Sequence, residues 1–350
     1  MQAALVAYCR AGFEGEAAAD LHRAATRARA AVEVEARAGQ GYVIAAAGDT
    51  ERGRWHSALE AAPPIFARSV FVGAGPYELA TAHAQRVDRA TPLLAAIGAA
   101  ASPPWRSVWV EYPDTNEGKS LSPLARALQA RLDGALGTAF DSRAGMRLHA
   151  FLPDGRTAFV GASRARDNDW PMGIPRLRMP GGAPSRSTLK LAEAFDVFLG
   201  ERSHELLRAG MRAVDLGAAP GGWTWQLAQR GVAVTAVDNG PLRGAVRDDP
   251  LVTHVREDAF RWRPRRPVEW LVCDVVEQPI RVATLVAQWM ARGDARRAIF
   301  NLKLPMKRRY DEVRRCAARV EELLAGTRHA LAVRHLYHDR EEVTAYLARD

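Results

Sequence analysis

No run of eighteen apolar residues occurs in this chain, and its amino terminus lacks a basic segment followed by an apolar stretch and a cleavage site. Neither a membrane span nor a secretory leader is expected, and a cytoplasmic protein is. Cysteine is scarce: Cys9, Cys273 and Cys316 lie far apart and in no ligand spacing. That argues against a disulfide framework and a zinc site, and no metal is expected. The one conspicuous glycine-rich turn does not have G-x-G-x-x-G spacing, and no G-x-x-x-x-G-K-[ST] follows it, which argues against a dinucleotide site or a P-loop. Lysine is the last scarcity. Among 49 basic residues only Lys119, Lys190, Lys303 and Lys307 are lysines. A desolvated lysine can lose its proton within reach of neutral pH and arginine effectively cannot, so a lysine retained in an arginine-writing chain points to a place where the two are not interchangeable. Chance retention explains any single one; the pointer gains weight where a lysine falls in a motif.

The charge that is present is basic. The net charge of +9 suits a polyanionic partner or an acidic membrane surface, and equally suits solubility alone. At 350 residues the chain can hold two or three domains with real cores. Residues 1–75 read as a small α+β unit: strand Leu5–Cys9, helix Glu14–Ala28, strands Val32–Ala36 and Gly41–Ala46, helix Trp55–Ala61 and strand Ile65–Val72, which is the ferredoxin-like order. Residues 76–165 follow with a helix-like stretch Ala80–Ala100, a strand Ser107–Tyr112 and a helix Leu121–Leu136. Strands Leu148–Leu152 and Thr157–Ala162 then flank the turn Pro153-Asp154-Gly155. Residues 166–186, rich in arginine, proline and glycine, read as a linker.

From residue 187 to 350 strand and helix alternate. A helix begins with Ser187 as N-cap. Strands are expected at Ala213–Leu216, Val232–Val237, Val252–Arg256, Val268–Cys273 and Arg297–Leu302, with helices at Trp223–Arg230, Ile280–Arg292 and Pro305–Ala325. The pair Ala330–Leu336 and Val343–Ala348 closes the chain. The predicted fold class is α/β, a Rossmann-like doubly wound domain preceded by an α+β ferredoxin-like region. Its central stretch is Met211–Trp225, an apolar strand ending in D-L-G-A-A-P-G-G-W and passing into a helix. Such a strand end is where doubly wound sheets bind nucleotide-like ligands. An S-adenosylmethionine molecule, whose amino-acid and ribose parts need close backbone approach, suits this loop; an ordinary tight turn is the bland alternative. The nine residues closely resemble the cofactor loop of FtsJ-like RNA ribose methyltransferases, which implies an S-adenosylmethionine-dependent methyltransferase domain.

Further polar residues fall at strand ends of the same domain: Asp238 after the second strand, Asp258 after the third, Asp274 after the fourth and Lys303 closing the fifth. An aspartate there often only caps the next helix, but a lysine at the end of an apolar strand is costly to bury unless paired. Ribose methylation needs alignment of the two reactants and removal of one hydroxyl proton. A lysine can take that proton if its surroundings favour the neutral amine. Lys190 and a sulfonium would push that way, Asp274 and Glu342 the other, so the sign of the shift is open. FtsJ-like enzymes carry a K-D-K-E tetrad, and its members match Lys190, Asp274, Lys303 and Glu342, with Glu341 a neighbouring alternative to the last.

The set A-P-S-R-S-T-L-K-L, V-D-N-G-P, F-N-L-K-L-P-M-K and Y-H-D-R-E-E-V-T, behind a region that looks like a THUMP domain, resembles the RlmM family, whose members 2′-O-methylate a cytidine in the peptidyl-transferase region of 23S ribosomal RNA. The resemblance implies cofactor contacts from Ser187, Ala219, Pro220, Gly221, Gly222, Asp238, Asp258 and Asp274, with Lys303 as general base. It implies 23S rRNA as partner, as free or early precursor RNA, and no membrane. Lys119, Arg176, Arg178 and Arg186 are candidate phosphate contacts or merely solvated charges. A monomer is expected. Two other readings remain: a catalytically silent RNA-binding protein on a methyltransferase scaffold, and ribose methylation of a different RNA. Methylation of an amino group is disfavoured because D-V-V-E stands where N-P-P-Y would.

Overall fold

The computed structural model describes residues 2–80, 88–100, 102–166 and 169–349. Two compact units divide the chain, Met1–Ile174 and Pro175–Asp350.

The first unit begins β1 (Gln2–Cys9), α1 (Glu14–Ala28), β2 (Val32–Ala36), β3 (Tyr42–Ala47), α2 (Asp49–Ala61) and β4 (Ala67–Glu78). These four strands lie side by side as β2-β3-β1-β4, all antiparallel, which is the ferredoxin-like arrangement. The helix α2 starts six residues before its expected first residue, Trp55, because its opening turns (Asp49–Arg54) are polar and give no apolar period. The strand β4 continues past the expected end at Val72 and spans position 75, where the sequence suggested a boundary. Its far edge pairs with β7 (Thr157–Arg164) after α3 (Ala90–Ala100), β5 (Val108–Glu111), α4 (Ser122–Leu136) and β6 (Met146–Phe151). One seven-stranded sheet results, β2-β3-β1-β4-β7-β6-β5. Of the expected helix Ala80–Ala100 only α3 is seen: Asp88 and Arg89 are not helical, Asp88 accepts the Ala90 and Thr91 amides at the start of α3, and residues 81–87 lie outside the described set. The β6–β7 hairpin turns at Asp154, which accepts hydrogen bonds from the Arg156 and Thr157 amides. A buried polar knot ties this sheet to the segment that follows it: Glu111 accepts from the Tyr8 hydroxyl (2.8 Å) and from the Met172 amide (2.6 Å), and His149 lies 2.8 Å from the same carboxylate.

The second unit runs α5 (Ser187–Leu199), a four-residue α6 (Ser203–Leu206), β8 (Arg212–Leu216), α7 (Gly222–Ala228), β9 (Ala233–Val237), β10 (Val252–Val255), β11 (Val268–Cys273), α8 (Pro279–Arg292), β12 (Ala295–Lys303), α9 (Arg309–Leu323), β13 (His329–Arg334) and β14 (Glu342–Arg349). The sheet order is β10-β9-β8-β11-β12-β14-β13. Strands β8 to β12 are parallel to their neighbours, and β14 inserts antiparallel between β12 and β13. From β8 the chain first winds outward to β9 and β10, then returns to β11 on the other side. The strand order thus reverses at the carboxyl ends of β8 and β11, the usual place for a ligand crevice. Leu191, Phe195, Trp223, Leu227, Val234 and Trp270 pack the core beneath it.

Two sequence expectations change here. Ser187 is the first residue of α5 rather than its N-cap; Arg186 holds the cap position, makes no side-chain cap, and the Ser187 hydroxyl bonds to that of Ser185 (2.7 Å). Helix α9 starts at Arg309, not Pro305, because Arg308 adopts a left-handed φ of 57° and leaves Leu304 to Arg308 as a loop.

Candidate active site

Strand β8 ends in Leu216 and hands the chain to Gly217, whose φ of 76° suits glycine and where a Cβ would come within 2.8 Å of Val275. At Gly222, the first residue of α7, a Cβ would collide with the hydroxyls of Ser185 and Ser187. The starts of α5 and α7 therefore touch through backbone. Thr188 donates to the Gly222 carbonyl (3.2 Å), Trp223 Nε1 to the Ser187 carbonyl (3.1 Å) and Gln226 Nε2 to the Thr188 carbonyl (3.1 Å). Asp238, immediately after β9, accepts the Ala219 amide on one oxygen (3.0 Å) and the Gly240 amide on the other (2.7 Å), bracing the loop.

Asp215, near the end of β8, is buried; one oxygen accepts the Thr224 hydroxyl (2.6 Å) and the other, Oδ1, has no partner. Burial pushes this carboxyl up to about 7. Asp258 is different. It is exposed, accepts the Phe260 amide two residues on (2.8 Å) and lies 3.7 Å from Arg261. Among the described residues no hydrogen bond or ion pair joins the Asp258 side chain to the loop.

Four charged residues from four elements meet beside this loop. Lys303 is the last residue of β12, Glu342 the first of β14, Asp274 follows β11, and Lys190 lies in the first turn of α5. Lys303 Nζ donates to Asp274 (2.7 Å) and to Glu342; Lys190 Nζ donates to the other Glu342 oxygen and stands 3.7 Å from Asp274. Burial alone would lower the Lys303 pKa, but the carboxylates of Asp274 and Glu342 outweigh it and hold the amine above its ordinary value. Glu341 turns away, pairing with Arg309 at 2.9 Å with its side chain 61% exposed.

A supporting chain of polar groups was not apparent in the sequence reading. Asn301 Nδ2 donates to Asp274 (3.1 Å), and the Thr344 hydroxyl donates to Asn301 Oδ1 (2.8 Å). The same hydroxyl lies 2.9 and 3.0 Å from the two oxygens of Asp339, whose carboxyl burial pushes well up. One hydroxyl proton cannot serve all three acceptors, an arrangement that favours the protonated form of the Asp339 carboxyl. Glu193, one turn beyond Lys190, accepts the amides of Tyr337 (2.7 Å) and His338 (2.9 Å) and so fastens the turn before β14. The period of two offered a signal for Asn301 and Thr344, since each shares a strand face with the charged residue two positions away. Nothing local marked Glu193 or Asp339.

Arg176, Arg178 and Arg186 are exposed and make no ion pair or side-chain hydrogen bond among the described residues; Lys119, in the first unit, donates to Asn116 (3.2 Å). Cys273 is buried, and burial pushes its thiol up to about 12, so it offers no thiolate. Among the described residues no group of three or more His, Cys, Asp or Glu is placed to hold a metal ion, and no helix is long and apolar enough to cross a membrane.

Comparison with known proteins matches three families in succession: RlmM ferredoxin-like domain over residues 1–71, Ribosomal RNA large subunit methyltransferase M, N-terminal, over 88–164, and FtsJ-like methyltransferase over 183–297. A protein of Thauera aminoaromatica named Ribosomal RNA large subunit methyltransferase M is 47% identical over 99% of this chain and 96% of its own length. One of the same name from Methylococcus capsulatus is 48% identical over 98% and 97%. The chain belongs to the ribosomal RNA large subunit methyltransferase M family.

Proposed function

We propose that this member of the family moves a methyl group from S-adenosylmethionine to a ribose 2′-hydroxyl of 23S ribosomal RNA, at a cytidine of the peptidyl-transferase region. The observation that carries the reading is the cluster of Lys190, Asp274, Lys303 and Glu342 beside the glycine-rich loop at the reversal point of the sheet. The residues there suit the cofactor: the loop Ala219, Pro220, Gly221 and Gly222 would hold it at the end of β8, with Asp238 accepting the Ala219 amide, Ser187 packed against Gly222, Asp274 at the end of the neighbouring strand, and one buried oxygen of the Asp215 carboxyl left without a partner. Asp258, on the turn after β10, is assigned to the adenine end. When bound, the cofactor supplies a methyl group already activated on a positively charged sulfur.

The chain's own residues then have two tasks. Asp274 and Glu342 hold both lysine amines in place, and Lys303 accepts the 2′-hydroxyl proton at Nζ as the ribose oxygen takes the methyl group. Because the carboxylates hold Lys303 above its ordinary pKa, it rests as an ammonium and must release a proton first. The positive charge of the cofactor and of Lys190 favours that release. Lys119, Arg176, Arg178 and Arg186 hold RNA phosphates, and free or early precursor RNA is the substrate, since a folded ribosomal helix hides the ribose.

The test is transfer of labelled methyl from S-adenosylmethionine to 23S RNA lacking the modification, with the product nucleosides identified. A 2′-O-methylcytidine that disappears with Lys303→Ala supports substrate, reaction and base together; a methylated base overturns the reading.

A further inference from the structure

Most large apolar side chains in this protein are covered. Among the described residues five are notably exposed, and three of these are near 40%: Met146 41%, Met179 43% and Val197 37%. The other two stand apart, Val276 at 86% and Met306 at 91%. Val276 lies two residues after Asp274 and Met306 three after Lys303, on the loops leaving adjacent strands β11 and β12 at the same edge of the sheet. Their roots are fixed, because Lys303 Nζ lies 2.7 Å from Asp274. Three residues of chain extend no more than about 10 Å, so both tips stay at the rim of the reacting centre.

Among the charges within two residues of either tip, only cations are left unmatched. Glu277, next to Val276, is matched by Arg281 (2.5 Å), and Glu341 is matched by Arg309 (2.9 Å). Lys307 and Arg308, which follow Met306, are exposed and pair with no carboxylate among the described residues. Arg308 also sits at a left-handed φ of 57°, a conformation costly for a side chain of its size, which ends the loop abruptly before α9. Lys307 is moreover the one lysine of the chain that the proposed reaction and its phosphate contacts leave without a role.

An apolar tip adjoining unmatched cations fits a nucleobase joined to its phosphates. A ribose presented to Lys303 has to be drawn out of a stack, and proteins commonly fill such a step with an apolar side chain, methionine and proline among them. We infer that Val276 and Met306 clamp an unstacked base of the RNA substrate at the rim of the reacting centre, with Lys307 and Arg308 on the adjoining phosphates. The inference rests on the methyl-transfer reading for placing the ribose at Lys303.

The experiment compares binding of the full-length protein to a short single-stranded oligocytidine and to the same strand with abasic riboses, across a salt series. The wild type is expected to favour the strand with bases. The double variant Val276→Ala, Met306→Ala should bind oligocytidine about tenfold more weakly while its affinity for the abasic strand is unchanged. Met306→Leu should retain the preference. Lys307→Ala with Arg308→Ala should weaken both strands alike and flatten the salt dependence. A wild type with no preference for bases, or an apolar variant that keeps the preference, overturns the clamp. If base-dependent binding is intact but the wild type transfers no methyl to 23S RNA, the reaction fails and the clamp stands as a base-binding site.

Discussion

Lys303 and Glu342 stand directly opposite one another in the antiparallel ladder of β12 and β14, and their side chains meet. The position of the glutamate is thus set by strand register. Successive side chains alternate between faces, so the neighbouring Glu341 is carried away from the lysines and onto Arg309. Lys190 and Asp274 close the cluster from α5 and from the end of β11.

Replacing Glu342 by Gln removes the charge that holds both lysines and is expected to lower kcat about 100-fold or more. Glu341→Gln breaks only a surface ion pair and should leave kcat within about twofold and stability within about 1 kcal/mol. Single-turnover methyl transfer to 23S RNA separates the two. Equal losses in both variants would remove the register argument.

The pH profile follows from the sign of the Lys303 shift. Its pKa is held above the ordinary lysine value, so the neutral amine is the minor form at pH 7. The transfer rate should rise close to tenfold per pH unit from neutrality into the alkaline range, where a base of ordinary or lowered pKa would level off sooner. A rate that is flat from pH 7 to 9 contradicts the assignment of Lys303 as proton acceptor.

Asp339 is buried and burial pushes its carboxyl well up, so Asp339→Asn, of similar shape, is expected to replace one neutral group by another. Urea unfolding should register a change of about 1 kcal/mol or less, whereas Asp339→Ala, which orphans the Leu336 amide and the Thr344 hydroxyl, should cost roughly 2–3 kcal/mol. The Asn variant should also keep methyl transfer. A large loss with Asn would mean that the buried group is charged.

Asp215 gives the fold a pH dependence of its own. Its carboxyl, raised by burial to about 7, stays protonated in the folded chain while the unfolded chain ionises near pH 4. Between those values the unfolded state releases a proton that the folded state keeps, so this group makes stability fall as pH rises. The contribution is about 4 kcal/mol over the window and constant above it. Asp215→Asn should flatten that part of the stability curve. An unchanged curve would show that the group ionises normally in the fold.

Replacing Arg176, Arg178 and Arg186 together by Ala is expected to weaken RNA binding and to lower the slope of log affinity against log salt by about 2–3. Filter binding at several salt concentrations reads both quantities. Unaltered affinity and slope would return these arginines to the role of solvated charges.

What could be read from the sequence was whatever depends on near neighbours. The alternation of apolar strands and helices, the glycine-rich turn after β8, and the arrival of Asp238, Asp274 and Lys303 at strand ends are all local patterns, whereas Lys190 and Glu342 were marked only by a family resemblance. The tertiary structure decided the rest. Helix α2 gained its polar first turns and α9 lost its first four expected residues, because apolar period marks only the packed part of a helix and is blind to a left-handed Arg308. The strand β4 proved to be shared between two halves of one sheet, since strand pairing is a long-range choice. Glu342 rather than Glu341 faces the lysines, and the Lys303 amine is raised rather than lowered, because both outcomes turn on distances between groups 39 and 29 residues apart in the chain. Composition and spacing dictate which charges a chain has and where its elements lie; only the folded register fixes which of those charges stand within a hydrogen bond of each other, and electrostatic energy falls too steeply with distance and dielectric for anything else to set its sign.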